Sequence, residues 1–268
     1  MSRLADRVSP GRTPVDVLPL IRTTIAQTRL FSGWPAEILD RIAQGSELHT
    51  YRSGDFVLRR SVRSDHMIVL ESGTLVSQRT LKNGKLIVFD FLMPGQSTSH
   101  IAVLDGQAPA FDIVARTSTA QCVLIPRLTL LEAIGNDPVR LMDIIQFLCR
   151  RTRLDYEAIH SRTVDSLRCQ IAKQLIYWVR GTNAADISRV PFAVSQDDLA
   201  AILGASRQTI NREIVALARE GIVSQSYRNI EIADIDRLVA IIEEEDPAGP
   251  EISDALFNRP KNLFRATD

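Results

Sequence analysis

The sequence predicts an α+β chain: an antiparallel β-barrel, one long helix and a winged helix-turn-helix, in that order. Three observations predict it. From about Leu48 to Pro126, short β-branched or alternating runs are separated by turn residues. From Pro138 to about Thr163, residues recur at a strict 3,4 spacing. Between Val194 and Ile232, two capped amphipathic segments flank a single glycine and are followed by a short hairpin pattern.

The length of 268 residues allows two domains and a connecting element. Hydrophobic residues make up 45% and charged residues 24%, as packed cores require. The net charge of zero hides an uneven distribution. Residues 1–161 carry 19 Lys/Arg against 16 Asp/Glu, residues 162–233 carry 9 against 7, and the last 35 residues carry 4 against 9. An acidic tail therefore masks a mildly basic body, and the overall charge does not argue against nucleic acid. Cys122, Cys149 and Cys169 are far apart and show no metal-ligand spacing, which fits a reducing compartment. The N-terminus has no apolar run long enough for a signal peptide or a membrane span. A soluble, cytoplasmic protein with no membrane partner is expected.

The boundaries follow from texture: an N-terminal arm at 1–24, a sensor domain at 25–137, a long helix at 138–164, a DNA-binding domain at 165–245 and an acidic tail at 246–268. Pro10, Gly11 and Pro14 mark the arm as loose. Ile21 and Ile25 begin a short helical pattern, and "WPAEILDRIAQGS" continues it, with Pro35 near a helix start and Gly45 near its end. The runs "DFVLRR", "HMIVLESGTLVSQRTL", "KLIVFDFLM" and "AQCVLIPR" read as strands, and "KNGK" as a hairpin turn. Strands of this length and spacing suggest a barrel or sandwich.

In the long helix, Met142, Ile145, Cys149, Thr152, Tyr156, Ile159 and Thr163 form a narrow seam of the kind by which a helix pairs with its own copy. The competing reading is an amphipathic helix packed on its own domain. The threonines are weak core residues, and Cys149 on the seam is expected to be inert packing rather than a redox sensor.

The segment "VSQDDLAAILGASRQTINREIVALAREGIV" is the most informative. Ser195 is placed to cap a helix, with Asp198 three residues on and Val194 before it. Gly204 turns the chain, and Ser206 caps a second helix with a buried stripe of Ile210, Ile214 and Leu217. Its opposite face carries Arg207, Gln208, Asn211 and Arg212. This is a helix-turn-helix whose second helix suits a major groove. Arg donates bidentately to guanine, and Gln or Asn pairs with adenine. Ser195, Gln196, Ser206, Thr209 and Arg228 are expected at the DNA, Ser206 and Thr209 on phosphates. "GIVSQSYRNIEI" reads as a wing with Tyr227 and Arg228 near its tip.

This order of elements resembles the cyclic AMP receptor protein and fumarate-nitrate regulator (Crp/Fnr) family of bacterial transcription regulators over about residues 25–235. The resemblance implies a cyclic-nucleotide-binding-like jelly-roll barrel, a homodimer joined by the long helix, a palindromic operator in double-stranded DNA, and RNA polymerase as a partner. By position, Arg207, Gln208 and Arg212 match the family's base-contacting residues. Many members have Glu where Gln208 stands, so the half-site is expected to differ.

The stretch "ESGTLVSQRTLKNGKLIVFDFLMPG" resembles the family's hairpin before its phosphate-binding cassette, which reads Gly-Glu, a short helix, then Pro-Arg-Ser/Thr-Ala. The same register puts Ser99 and His100 at Gly-Glu and keeps Pro109. Ala110, Phe111 and Asp112 stand at Arg-Ser/Thr-Ala. The ribose-binding Glu and the phosphate-binding Arg are gone, and Asp112 adds repulsion. Losing the partner of a buried charge costs about 3–5 kcal/mol, roughly 100-fold or more in affinity. Independence from cyclic nucleotides is therefore expected. The pocket is either lined by Phe111 and Ile101 for a more apolar ligand or filled by such side chains. No cofactor or metal is expected. The arm lacks the cysteines of an iron–sulfur cluster, and His49, His66, His100 and His160 are scattered.

The alternative function is a non-DNA interaction module that uses the barrel and the helix-turn-helix for assembly. The polar residues Arg207, Gln208 and Arg212 argue against it, because an assembly helix would show an apolar patch. An enzyme is not expected: the chain has no nucleophile elbow, Walker loop or HExxH motif.

Overall fold

The strands form a two-sheet sandwich rather than a closed barrel. In the computed structural model, which describes residues 17–84, 86–180, 194–226 and 229–245, the strands in chain order are β1 (Glu47–Arg52), β2 (Phe56–Leu58), β3 (His66–Ser72), β4 (Leu75–Thr80), β5 (Leu86–Leu92), β6 (Ser97–Thr98), β7 (Asp112–Ala115) and β8 (Thr119–Pro126). They pair antiparallel as two four-stranded sheets, β1-β8-β3-β6 and β2-β7-β4-β5. The chain passes from one sheet to the other at Gly73, between β3 and β4. A Cβ there would lie 2.5 Å from the Thr119 carbonyl, and φ is +86°. This is the expected jelly roll in its open, two-sheet form: among the described residues no strand joins the two sheets into a closed barrel.

Side-chain alternation explains why the strands read as continuous apolar runs. Along β3, Ile68 and Leu70 face inward, between the sheets, with Leu75, Leu92, Ile113 and Cys122. Met67 and Val69 face the other way, onto Ile21, Ile25, Phe31 and Ile42 of the N-terminal helices. These helices are α1 (Leu18–Gln27) and α2 (Ala36–Gln44), bounded by Pro35 and Gly45 as expected. The second sheet is also covered on both faces. Val76, Val88, Phe91 and Val114 point outward into a core shared with Trp178, Leu199 and Ile202 of the C-terminal unit. The layers are thus helices, sheet, sheet, C-terminal unit.

A short helix, α3 (His100–Asp105), precedes β7. α4 (Arg127–Ile134) follows β8 and is tied to α3 by a 2.7 Å bond from Arg127 Nε to the Val103 carbonyl. The long helix α5 (Pro138–Val164) starts at Asp137, whose carboxylate accepts from the Val139 amide at 2.8 Å, with Pro138 in the first turn. Its 27 residues give about 40 Å of rod.

The C-terminal unit contains α6 (Leu167–Arg180), α7 (Gln196–Leu203), α8 (Arg207–Arg219), the antiparallel pair β9 (Val223–Ser226) and β10 (Asn229–Ile232), and α9 (Ile235–Glu245). Arg168 donates to both Glu220 carboxylate oxygens, and Arg237 donates to the Glu220 carbonyl at 2.6 Å, which fastens α6, α8 and α9. β6, β7, α4 and α9 went unread in the sequence. The expected arm, the loop after α6, the Tyr227–Arg228 wing tip and the acidic tail lie wholly or largely outside the described residues.

Candidate functional site

The two helices of the reading head are set by their caps. The Ser195 hydroxyl accepts from the Asp198 amide at 3.1 Å, and the Ser195 amide donates to the Asp198 carboxylate at 3.0 Å, closing a capping box at α7. Gly204 turns the chain at φ +67°, a left-handed conformation. The Ser206 hydroxyl accepts from the Thr209 amide at 3.2 Å and starts α8. Ile210, Ile214 and Leu217 are fully buried. The helical period then forces the opposite face outward, and Arg207, Gln208, Asn211 and Arg212 are all exposed there.

On that face Gln196 Nε2 donates to Asn211 Oδ1 at 2.7 Å, bridging α7 and α8. Arg207 stands 3.4 Å from Asp197, and the Arg212 side chain is 75% exposed. Two arginines and two amides thus converge on one solvent-facing surface. The hydroxyls at the two helix starts are already engaged. Ser195 Oγ donates to Asp198 at 2.7 Å, and Ser206 and Thr209 share a 2.8 Å bond. Their first role is to hold the helix starts. Arg228 lies outside the described residues.

The degenerate pocket divides. Ser99 has φ +70°, the conformation glycine favours, and its hydroxyl is buried without a hydrogen-bond partner. A glycine-like backbone is therefore kept by a serine. The next residue, His100, does not face a ligand. Its ring is buried 4.7 Å from Phe147 of α5, with Nε2 2.9 Å from Ser97 Oγ. Burial, then the nearby Arg151 charge, lower its pKa to about 3, so it is neutral. Ile101 is 69% exposed, which sets it apart from the buried pocket-lining place expected of it. On the helix it lies about 160° from buried Val103 and so faces water. Ala110 is exposed. Phe111 packs on Phe89 of β5 with ring centroids 4.1 Å apart, and the Asp112 carboxylate accepts from the Arg60 amide at 2.9 Å. Within the cassette, Phe111 is thus engaged by a neighbouring ring and Asp112 by a backbone amide.

Along α5, Ile145 is 51%, Tyr156 67% and Ile159 62% exposed. Cys149 and Thr152 are exposed as well, and Met142 is half-buried. The Thr152 hydroxyl donates to the Leu148 carbonyl at 3.0 Å and that of Thr163 to the Ile159 carbonyl at 2.8 Å. Both threonines satisfy their polar atoms internally and present methyl groups. The expectation that Cys149 is buried packing does not hold within one protomer, where its thiol faces solvent. Cys122 and Cys169 are buried, and burial pushes each thiol up to about 12.

Asp165, Cys169 and Glu245 bring potential metal-ligand atoms within 4.8 Å of one another. Lys173 Nζ, however, stands 2.8 Å from Asp165, and the Ser166 amide donates to Glu245 at 2.8 Å. Together with the protonated thiol, this makes the cluster a charge-paired tie between α6 and α9. Among the described residues no helix is long and apolar enough to cross a membrane.

Sequence reasoning missed a polar group between the domains. Tyr177 Oη of α6 donates to Asp90 Oδ2 of β5 at 2.7 Å, with Arg151 of α5 beside both. Arg116, after β7, donates to Asp198 Oδ1 at 2.7 Å. The one available signal was an aspartate inside the apolar run "LIVFDFL".

Comparison with known proteins matches this layout. A cyclic nucleotide-binding domain model matches residues 48–137, and a Crp-like helix-turn-helix domain model matches residues 170–241. A CRP-like cAMP-activated global transcriptional regulator of Mycobacterium tuberculosis is 20% identical over 216 residues, covering 80% of this chain and 96% of that protein. The transcriptional regulator LdrP of Thermus thermophilus is 27% identical over 172 residues, covering 63% of this chain and 83% of that protein. In fold, the chain is similar to FixK2 from Bradyrhizobium japonicum, with a TM-score of 0.65 at 18% identity over 73% of this chain and 96% of that one.

Proposed function

The chain belongs to the Crp/Fnr family of DNA-binding transcription regulators, and from that premise we propose that it is a cytoplasmic homodimer that reads a palindromic operator without a cyclic nucleotide. The observation that carries the last point is the state of the cassette. The Phe111–Phe89 ring pair and the Asp112 carboxylate occupy the region where the family's ligand residues would stand. The Mycobacterium relative is named for activation by cAMP. This chain has neither the cassette Glu nor the cassette Arg on which the family's nucleotide contacts depend.

In this mechanism two α5 seams pair across a two-fold axis and carry two α8 helices into successive major grooves, about one helical turn apart. Arg207, Gln208, Asn211 and Arg212 read base edges, and Gln196 holds Asn211 in place. Bound on DNA, the regulator meets RNA polymerase. Selection of bound fragments from genomic DNA with purified protein tests the reading. A palindromic site enriched with no additive supports it. Enrichment only in the presence of cyclic AMP, or no common site at all, opposes it.

A further inference from the structure

The DNA-binding unit is docked on the outer face of the second sheet, and its contacts are of two kinds. The apolar contacts include Phe91 of β5, whose ring stands 6.1 Å from Trp178 of α6 in an edge-on arrangement. Such a surface is non-directional and does not by itself fix one orientation. The polar contacts are directional. Asp90, the residue before Phe91, accepts from the Tyr177 hydroxyl at 2.7 Å and from the Phe91 amide at 2.8 Å. Arg151, partly buried on α5, is hydrogen-bonded to Tyr177 and lies in the field of Asp90 and Asp155. One polar node therefore touches the sensor sheet, the long helix and the DNA-binding unit. A second tie, Arg116 to Asp198, lands on the capping box of α7 itself. In this docked arrangement Arg207, Gln208, Asn211 and Arg212 stay exposed.

We propose that the Asp90–Tyr177–Arg151 node is an internal clamp that holds the DNA-binding unit on the sensor with its recognition face open, so that the chain carries in its own side chains the link an effector would otherwise supply. A ligand shifts a conformational equilibrium only through differential affinity for the two states. Side chains that hydrogen-bond across the junction only when it is closed bias the same equilibrium permanently. Burial of the Arg151 charge is offset by Asp90 of the sensor sheet and by Tyr177, and the Tyr177 oxygen is supplied only while the unit is docked. Undocking therefore withdraws Tyr177 from Asp90 and Arg151 together. His100 adds a neutral ring on the α3 side of Arg151. A protonated imidazole there would repel the guanidinium.

The clamp rests on the effector-independent reading, but it is testable apart from it. Tyr177→Phe removes only the hydroxyl, and Asp90→Asn removes the charge with little change in shape. In the full-length protein, hydrogen–deuterium exchange of β5 and α7 reports docking without DNA. Anisotropy on operator DNA reports competence. A hydrogen bond to a charged group predicts that Tyr177→Phe raises exchange at both elements by about tenfold and weakens operator binding by a similar factor. The Tyr177→Phe/Asp90→Asn double variant should be no worse than the more affected single variant. Exchange and affinity within twofold of the parent in Tyr177→Phe would overturn the clamp. Faster exchange with tighter DNA binding would overturn it as well, because the docked state would then be inhibitory. If the parent protein needs an added effector to bind DNA, the proposed function fails, while the exchange comparison still decides the clamp.

Discussion

The Arg116 guanidinium, on the sensor loop after β7, donates a 2.7 Å hydrogen bond to Asp198, the residue that closes the capping box of α7. One carboxylate thus serves a helix start and a domain contact. Asp198 is 9% exposed, whereas the Arg116 side chain is 44% exposed. The pair is screened on one side, and its worth is correspondingly modest. Arg116→Ala is expected to cost about 1 kcal/mol, and Ser195→Ala, which removes the cap, about 1–2 kcal/mol. Denaturant titration of the two variants checks the order. A larger loss for Arg116→Ala would mean that the domain contact, not the cap, is the main role of Asp198.

The exposed seam of α5 predicts a dimer that can be taken apart without unfolding the protomer. Ile145 and Ile159 are 51% and 62% exposed, so glutamate at both leaves the protomer core intact. Sedimentation of the Ile145→Glu/Ile159→Glu variant should show a folded monomer with circular dichroism like that of the parent. An unchanged dimer would place the interface elsewhere.

Base readout predicts selective losses on α8. Arg207→Ala or Arg212→Ala should each cost about 1–3 kcal/mol of operator affinity and relax preference at one base pair. Binding to a panel of single-base operator variants gives the comparison. Uniform weakening across the panel would make these arginines phosphate contacts instead.

His100 predicts acid sensitivity. Its pKa falls from about 6.5 to about 3 in the folded chain, so between these values the unfolded state binds a proton that the folded state refuses. Stability then rises with pH through that window and is lost as the solution is acidified. From pH 7 to pH 5 this one residue accounts for about 2 kcal/mol. His100→Leu should flatten the melting-temperature profile over that range. A profile parallel to the parent's would assign the acid loss to other groups.

The sequence made the reading head legible because its signals are local. Ser195, Asp198, Gly204 and Ser206 each fix one step of a short-range motif, and the structure uses each in that way. The long helix was equally plain, since Pro138 and Asp137 start it and a single period runs through it. What the sequence hid depends on distant partners. β7 is four residues long and is a strand because β2 and β4 flank it. The split into two sheets is decided by long-range pairing and not by any one run. Ile101 looked like a pocket residue by register, yet the turn of α3 faces it to water. The Asp90–Tyr177 bond joins residues 87 positions apart and could not be read from spacing.

The central claim, operator binding by a chain whose cassette no longer takes a cyclic nucleotide, is tested most directly by an anisotropy titration. Purified protein is titrated onto its selected operator with no additive, then with millimolar cyclic AMP and millimolar cyclic GMP, and the protein's melting temperature is followed in the same buffers. The account predicts saturable, specific binding in all three, with one affinity and one melting temperature. Binding that appears only with cyclic AMP, or a rise of several degrees in its presence, would contradict it and would return the cassette to nucleotide duty despite Ala110, Phe111 and Asp112.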